Sequence, residues 1–148
     1  MSILILTTTS AEGTAVFEIA KTVRDKLSGG GEEVKLFDMN GNFDELKEVL
    51  IESNKLVLVV PVYYFSVPLQ FRNIINRFGS MAKELRAGRK KAALIAAVSG
   101  DDERAANELI SHYKMILRFM DWEDIGVTVL TQMVSSADVK QVDFALSF

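Results

Sequence analysis

Five short apolar runs, at 3–6, 33–37, 56–60, 92–98 and 125–130, recur through this 148-residue chain with amphipathic segments between them. As a set they lack the strict period-2 alternation of a half-solvated sheet. Runs of this kind, each followed by a helix, predict a parallel sheet buried on both faces. The intervening segments carry helical spacing. Val16, Ile19, Ala20, Val23 and Leu27 form one stripe, Leu46, Val49 and Leu50 a second, and Phe71, Ile74, Ile75 and Phe78 a third. The cleanest stripe is Ala106, Leu109, Ile110, Tyr113, Ile116, Leu117 and Met120, and Val139, Val142 and Leu146 close the chain. Punctuation agrees: Asn42 with Glu45 reads as a capping box, Pro68 suits a first helical position, and Gly29-Gly30-Gly31 ends the first helix. The expected fold is α/β, a three-layer doubly wound five-stranded parallel sheet of order 2-1-3-4-5, in one domain over 1–148.

Composition then removes whole classes of chemistry. There is no cysteine, which excludes disulfides, thiolate catalysis, iron–sulfur ligation and cysteine zinc sites. A net charge of −3 argues against nucleic acid as a partner, because such binders usually show a basic face. No apolar run approaches the ~20 residues needed to span a bilayer, and no basic, apolar leader precedes the first strand. A cytoplasmic protein without a membrane span is the expectation.

In a doubly wound sheet, ligands bind at the carboxyl ends of the strands. Three loops fall there, at 7–14, 61–67 and 99–101. The first brings Thr7, Thr8, Thr9, Ser10 and Thr14, with Gly13, ahead of a helix N-terminus, where free N–H groups, hydroxyls and the helix dipole favour a phosphate. A polar turn in which one hydroxyl caps the helix is the plainer alternative. Glu12 suits a phosphate only if it points away. The second loop, Pro61-Val62-Tyr63-Tyr64-Phe65-Ser66-Val67-Pro68, follows a buried strand expected to end at the first proline. Its three consecutive aromatics cannot all enter one core, so at least one should be exposed at the crevice, where it suits a flat, partly polar heterocycle. Packing on helices or a subunit contact is the alternative. Ser99-Gly100 lets backbone approach a neutral part of a ligand, although taken alone the pair reads better as a plain strand-to-helix turn.

Elsewhere the expectations are plain. Asp101-Asp102-Glu103 opens the fourth helix as dipole compensation and makes a poor phosphate site. Lys83, Arg86, Arg89, Lys90 and Lys91 read as a helix C-terminus and a solvated turn, with a weak second reading as a 2′-phosphate anchor. His112 is expected to be partly exposed and Trp122 to be core.

Together these loops resemble the flavodoxin-like NAD(P)H-dependent FMN reductase and quinone reductase family. The most specific match is the 61–68 loop, continued by Leu69-Gln70-Phe71-Arg72-Asn73-Ile74-Ile75-Asn76-Arg77-Phe78. Arg72 takes the family's basic place in that helix, and Asn76-Arg77 its closing pair. The first loop departs from the family pattern: Thr7-Thr8 stand where Gly-Ser is usual, and no Arg or Lys lies between Thr7 and Thr14. The resemblance implies FMN as cofactor, held through Thr8, Thr9, Ser10, Gly13 and Thr14 at its phosphate. It places Pro61, Val62, Tyr63, Tyr64 and Phe65 at the ring, and Ser99 and Gly100 on the ring's far side. It further implies NAD(P)H as co-substrate, a quinone, flavin or similar small-molecule acceptor, a homodimer completing the site, and no catalytic side chain or metal.

A flavodoxin-type electron carrier is the alternative. A phosphoacceptor receiver fails, because Thr7-Thr8 and Pro61 occupy its acidic positions and Thr131 stands where its lysine is expected. A dinucleotide module fails for want of Gly-x-Gly-x-x-Gly.

Overall fold

A computed structural model describes residues 2–140. The elements run β1 (Ser2–Thr7), α1 (Ala15–Leu27), β2 (Glu33–Asp38), α2 (Phe43–Glu52), β3 (Lys55–Val62), α3 (Leu69–Ser80), α4 (Ala82–Ala87), β4 (Lys91–Val98), α5 (Asn107–Met120), β5 (Glu123–Leu130) and α6 (Ser136–Lys140). All strand pairs are parallel, in the order β2-β1-β3-β4-β5. This is the expected flavodoxin-like arrangement.

Strand pleating divides the core in two. Leu4, Leu6, Leu56, Leu58 and Leu94 enter the layer built with α2, α3, α4 and α5. Ile3, Ile5, Val57, Val59 and Ile95 enter the opposite layer, with α1 and α6. The inner strands β1, β3 and β4 are buried almost throughout, so two-sided burial removes their alternation. The outer strands β2 and β5 are only partly buried, which corrects the expectation for those two.

Several local expectations hold in detail. Asn42 Oδ1 accepts from the amides of Asp44 and Glu45 and caps α2, the half of the expected capping box that the structure shows. The glycine run ends α1 through a short 3₁₀ turn, with Gly31 at φ +83°. Trp122 is core and His112 is exposed.

Others are corrected. β3 does not stop at Pro61 but runs through it to Val62. The ladder with β1 ends at Val59, so on that side the strand has become an edge, where a missing N–H costs nothing. Pro68 is the N-cap of α3, and Leu69 is its first residue. The acidic triplet does not open α5 directly; it leads into a 3₁₀ turn, Glu103–Ala106, capped by Asp102. Val139 is buried in α6, whereas Val142 and Leu146 lie outside the described residues.

The basic group holds the largest departure. Lys83 and Arg86 belong to the short helix α4, and Arg89, at φ +44°, turns the chain so that Lys90 points inward. Lys90 is 2% exposed, and its Nζ donates to the carbonyls of Ser53 and Ile51 (3.2 Å to the latter) where α2 ends. Burial pushes its pKa down to about 8 from 10.5. Unfolding returns it to the ordinary value, so between pH 8 and 10.5 the unfolded chain binds the extra proton. Stability should therefore rise with pH across that window, by up to about 3 kcal/mol from this residue. The difference in unfolding free energy between parent and Lys90→Met, measured from pH 7.5 to 10.5, isolates the effect. A flat difference would show that the two carbonyls offset the cost of burying the charge and that folding does not lower this pKa.

Candidate functional site

The loops after β1, β3 and β4 converge at the carboxyl edge of the sheet, where β1 and β3 lie side by side with the crossovers leaving in opposite directions. Each is built by local chemistry. In the first, Thr14 caps α1: its Oγ1 accepts from Phe17 N–H at 3.4 Å and donates to Ala11 O at 2.8 Å. Glu18 N–H reaches Thr14 O. The remaining opening amides of the helix, those of Ala15 and Val16, have no intrahelical acceptor by geometry. Gly13 sits at φ +87° with open space where a Cβ would stand. Thr7 and Thr8 are buried, and Thr7 Oγ1 donates to Thr9 O. Glu12 turns away from the loop to Lys21 (3.0 Å), which also pairs with Glu18 and has its pKa raised by the Glu12 hydrogen bond.

The second loop makes a tight reversal. Ser66 N–H and Oγ–H both return to Tyr63 O, at 3.1 and 2.8 Å. The two central residues, Tyr64 and Phe65, stand at φ +53° and +66°. Both centres of a type I′ turn need positive φ, a place for Asn and Gly where large aromatics are rare. The consequence is outward projection: Tyr63, Tyr64 and Phe65 are 52%, 97% and 59% exposed. The expectation that the aromatics could not share one core is met in full.

Across from them, Ser99 N–H donates to Val62 O at 3.3 Å and ties the third loop to the second. Val62, Tyr64, Phe65, Val98, Ser99 and Gly100 line a crevice of about 370 Å³, bordered by Asp101, Asp102 and Ala105. Arg104 bonds the Asp102 carboxylate through its side chain and its amide, and holds that carboxyl below its ordinary range. Pro61 is buried in β3 behind this crevice.

Two supports were not foreseen. After β5, Gln132 N–H donates to Gly100 O, Met133 N–H to Val98 O, and Ser136 N–H to Gly13 O, so one segment braces two of the loops. At the end of β2, Asp38 bonds Ser10, and Asn40 Nδ2 donates to Thr8 O. The order 2-1-3-4-5 itself puts the end of β2 beside the first loop, and that was the available signal. Among the described residues, no group of His, Asp or Glu could hold a metal ion, and no helix is long and apolar enough to cross a membrane.

The arrangement offers amide and hydroxyl donors for an anion at one end and a partly aromatic crevice for a flat ring at the other. Comparisons with known proteins agree at the level of fold. No curated protein matches by sequence. Among solved structures, the Trp repressor binding protein from Bacillus subtilis superposes with a TM-score of 0.68 at 18% identity, covering 88% of this chain and 84% of that one. An NAD(P)H:quinone oxidoreductase from Methanothermobacter marburgensis gives 0.67 at 13%, covering 90% and 88%. General stress protein 14 from Treponema denticola, solved with FMN, gives 0.65 at 12%, covering 88% and 84%. A family model for the flavodoxin-like fold matches residues 1–146, and the chain belongs to that family.

Proposed function

We propose that this chain binds FMN at the carboxyl edge of its sheet and acts as an NAD(P)H-dependent oxidoreductase toward a quinone, flavin or similar acceptor. The observation that carries the reading is the strained aromatic turn facing Ser99-Gly100 across a crevice at the same sheet edge as the hydroxyl-rich helix start, whose own residues do not line it. The donor set fits the cofactor. Thr8, Thr9, Ser10, Gly13 and Thr14, with the opening amides of α1, would hold the phosphate. Val62, Tyr64 and Phe65 on one side, and Ser99 and Gly100 on the other, would hold the ring, with Pro61 buried behind them and Tyr63 exposed beside the turn. FMN supplies hydride-transfer chemistry when bound. The chain's own part is then to orient and to shield: aromatic faces exclude water, and backbone groups of the two loops set the ring's polar edge. No side chain is needed as acid or base.

Relatives of the same fold that carry FMN or oxidise NAD(P)H support this reading. A cytoplasmic setting, with NAD(P)H at hand, belongs to it. So does a homodimer, because the open crevice leaves Tyr64 almost wholly exposed and a second subunit is the natural cover. Light scattering in the presence of FMN tests the dimer.

Titrating apo-protein into FMN should quench flavin fluorescence, and the complex should oxidise NADH or NADPH when a quinone is present. No quenching by folded protein at high micromolar concentration would end the flavin reading. Quenching without turnover would leave an electron carrier, a reading favoured by the acidic border of Asp101 and Asp102 on an open crevice.

A further inference from the structure

Asp38 ends β2 in register with Thr7, directly beside the first loop. Its Oδ2 accepts both the amide and the hydroxyl of Ser10, each at 3.0 Å, and its Oδ1 accepts Asn40 N–H at 2.8 Å. A carboxylate of this protein thus already takes donors that a phosphate entering the loop would use. Among the described residues no lysine or arginine pairs with it, and Lys35, the nearest along the chain, pairs with Glu33. The loop has no Arg or Lys of its own, and the first lysine after it, Lys21, is committed to Glu12 and Glu18. Like charges repel, and a phosphate dianion feels a fixed carboxylate about twice as strongly as a singly charged group would.

We propose that Asp38 is a specificity-determining residue of the hydroxyl-rich loop, an internal anion on Ser10 that weakens the loop's hold on a phosphate relative to the uncharged form of the same ligand. The proposal rests on the flavin reading for the identity of that ligand, but its electrostatic content does not. A loop of this kind grips riboflavin nearly as well as FMN and lets FMN exchange.

The test compares the parent with Asp38→Asn, which keeps the shape and an acceptor oxygen but removes the charge. FMN and riboflavin are titrated by fluorescence quenching, and inorganic phosphate by amide chemical shifts at Ser10, Gly13 and Ala15. The preference for FMN over riboflavin should rise about tenfold in the variant, with riboflavin affinity little changed. Phosphate should saturate those amides at a lower concentration. An unchanged FMN-to-riboflavin ratio with normal flavin binding overturns the proposal and leaves the flavin reading intact. Equal weakening of both flavins also overturns it, because Asp38 would then only hold the loop in shape. If neither flavin binds either protein, tighter phosphate binding by the variant upholds the proposal and ends the flavin reading; unchanged phosphate binding ends both. Asp38→Ser, which also removes the charge although its shorter hydroxyl falls short of Ser10, must reproduce the rise in the FMN-to-riboflavin ratio if the asparagine variant fails to fold.

Discussion

Phe78→Ala should destabilise this protein by about 3–5 kcal/mol, the range for truncating a fully buried aromatic. Phe78 is 1% exposed near the end of α3 and meets Trp122 edge-on, with ring centroids 6.2 Å apart and planes at 61°. Trp122 is fixed in turn, since its Nε1–H donates to Leu85 O at 2.9 Å in α4. One pair of rings therefore joins α3, α4 and the entry to β5. Truncation removes the transfer energy of the ring and leaves a cavity that the Trp122 hydrogen bond keeps from collapsing. Against a total stability of roughly 5–15 kcal/mol, such a loss is a large fraction. At about 2–4 °C per kcal/mol for a chain near this size, the melting midpoint should fall by roughly 10 °C. Urea unfolding should show a lower midpoint with an unchanged slope. A loss below about 1 kcal/mol would mean that this end of α3 is not part of the cooperative core. Because α3 carries the aromatic turn at its other end, the variant should also bind FMN more weakly.

The sheet was legible because its signal is distributed. Five apolar runs spaced by helical stripes admit few topologies once short, right-handed crossovers are required. Lys90 departs from its expectation because that expectation rests on charge alone. Its burial depends on Arg89 at positive φ and on the carbonyls of Ile51 and Ser53, which are distant in sequence. α4 escaped notice because six residues carry too little periodicity to be seen. Pro61 reads as a stop in the sequence, since only the β1–β3 register reveals that the ladder ends before it, at Val59.

The candidate site was readable in proportion to how local its chemistry is. Hydroxyls before a helix and aromatics between prolines are visible in a row of letters. The clasp from Asp38 and Asn40 and the brace from Gln132, Met133 and Ser136 are made by other strands. Nothing in their own neighbourhoods announces them. The turn at Tyr64-Phe65 lies between these cases. Its exposure followed from counting aromatics, but its left-handed backbone did not, because Tyr and Phe are among the last residues that preference would put there.

That mismatch yields an expectation with two opposite signs. Replacing Tyr64-Phe65 by Asn-Gly gives a type I′ turn the residues it prefers, and left-handed backbone costs an ordinary residue about 1–2 kcal/mol at each position. Tyr64 is 97% exposed, so little packing is lost with its ring. The double variant should therefore be more stable than the parent by roughly 2 kcal/mol in chemical denaturation. It should also lose the aromatic faces offered to the crevice, and stacking of a heterocycle on an aromatic side chain is worth about 1–3 kcal/mol. FMN affinity should fall about tenfold or more. A gain in stability with unchanged flavin binding would detach the aromatics from the site and return them to a surface role. No gain in stability would show that the turn relaxes in solution to an unstrained form. Only the combination, a firmer fold with a poorer site, fits a backbone held under strain so that two aromatic rings face a ligand.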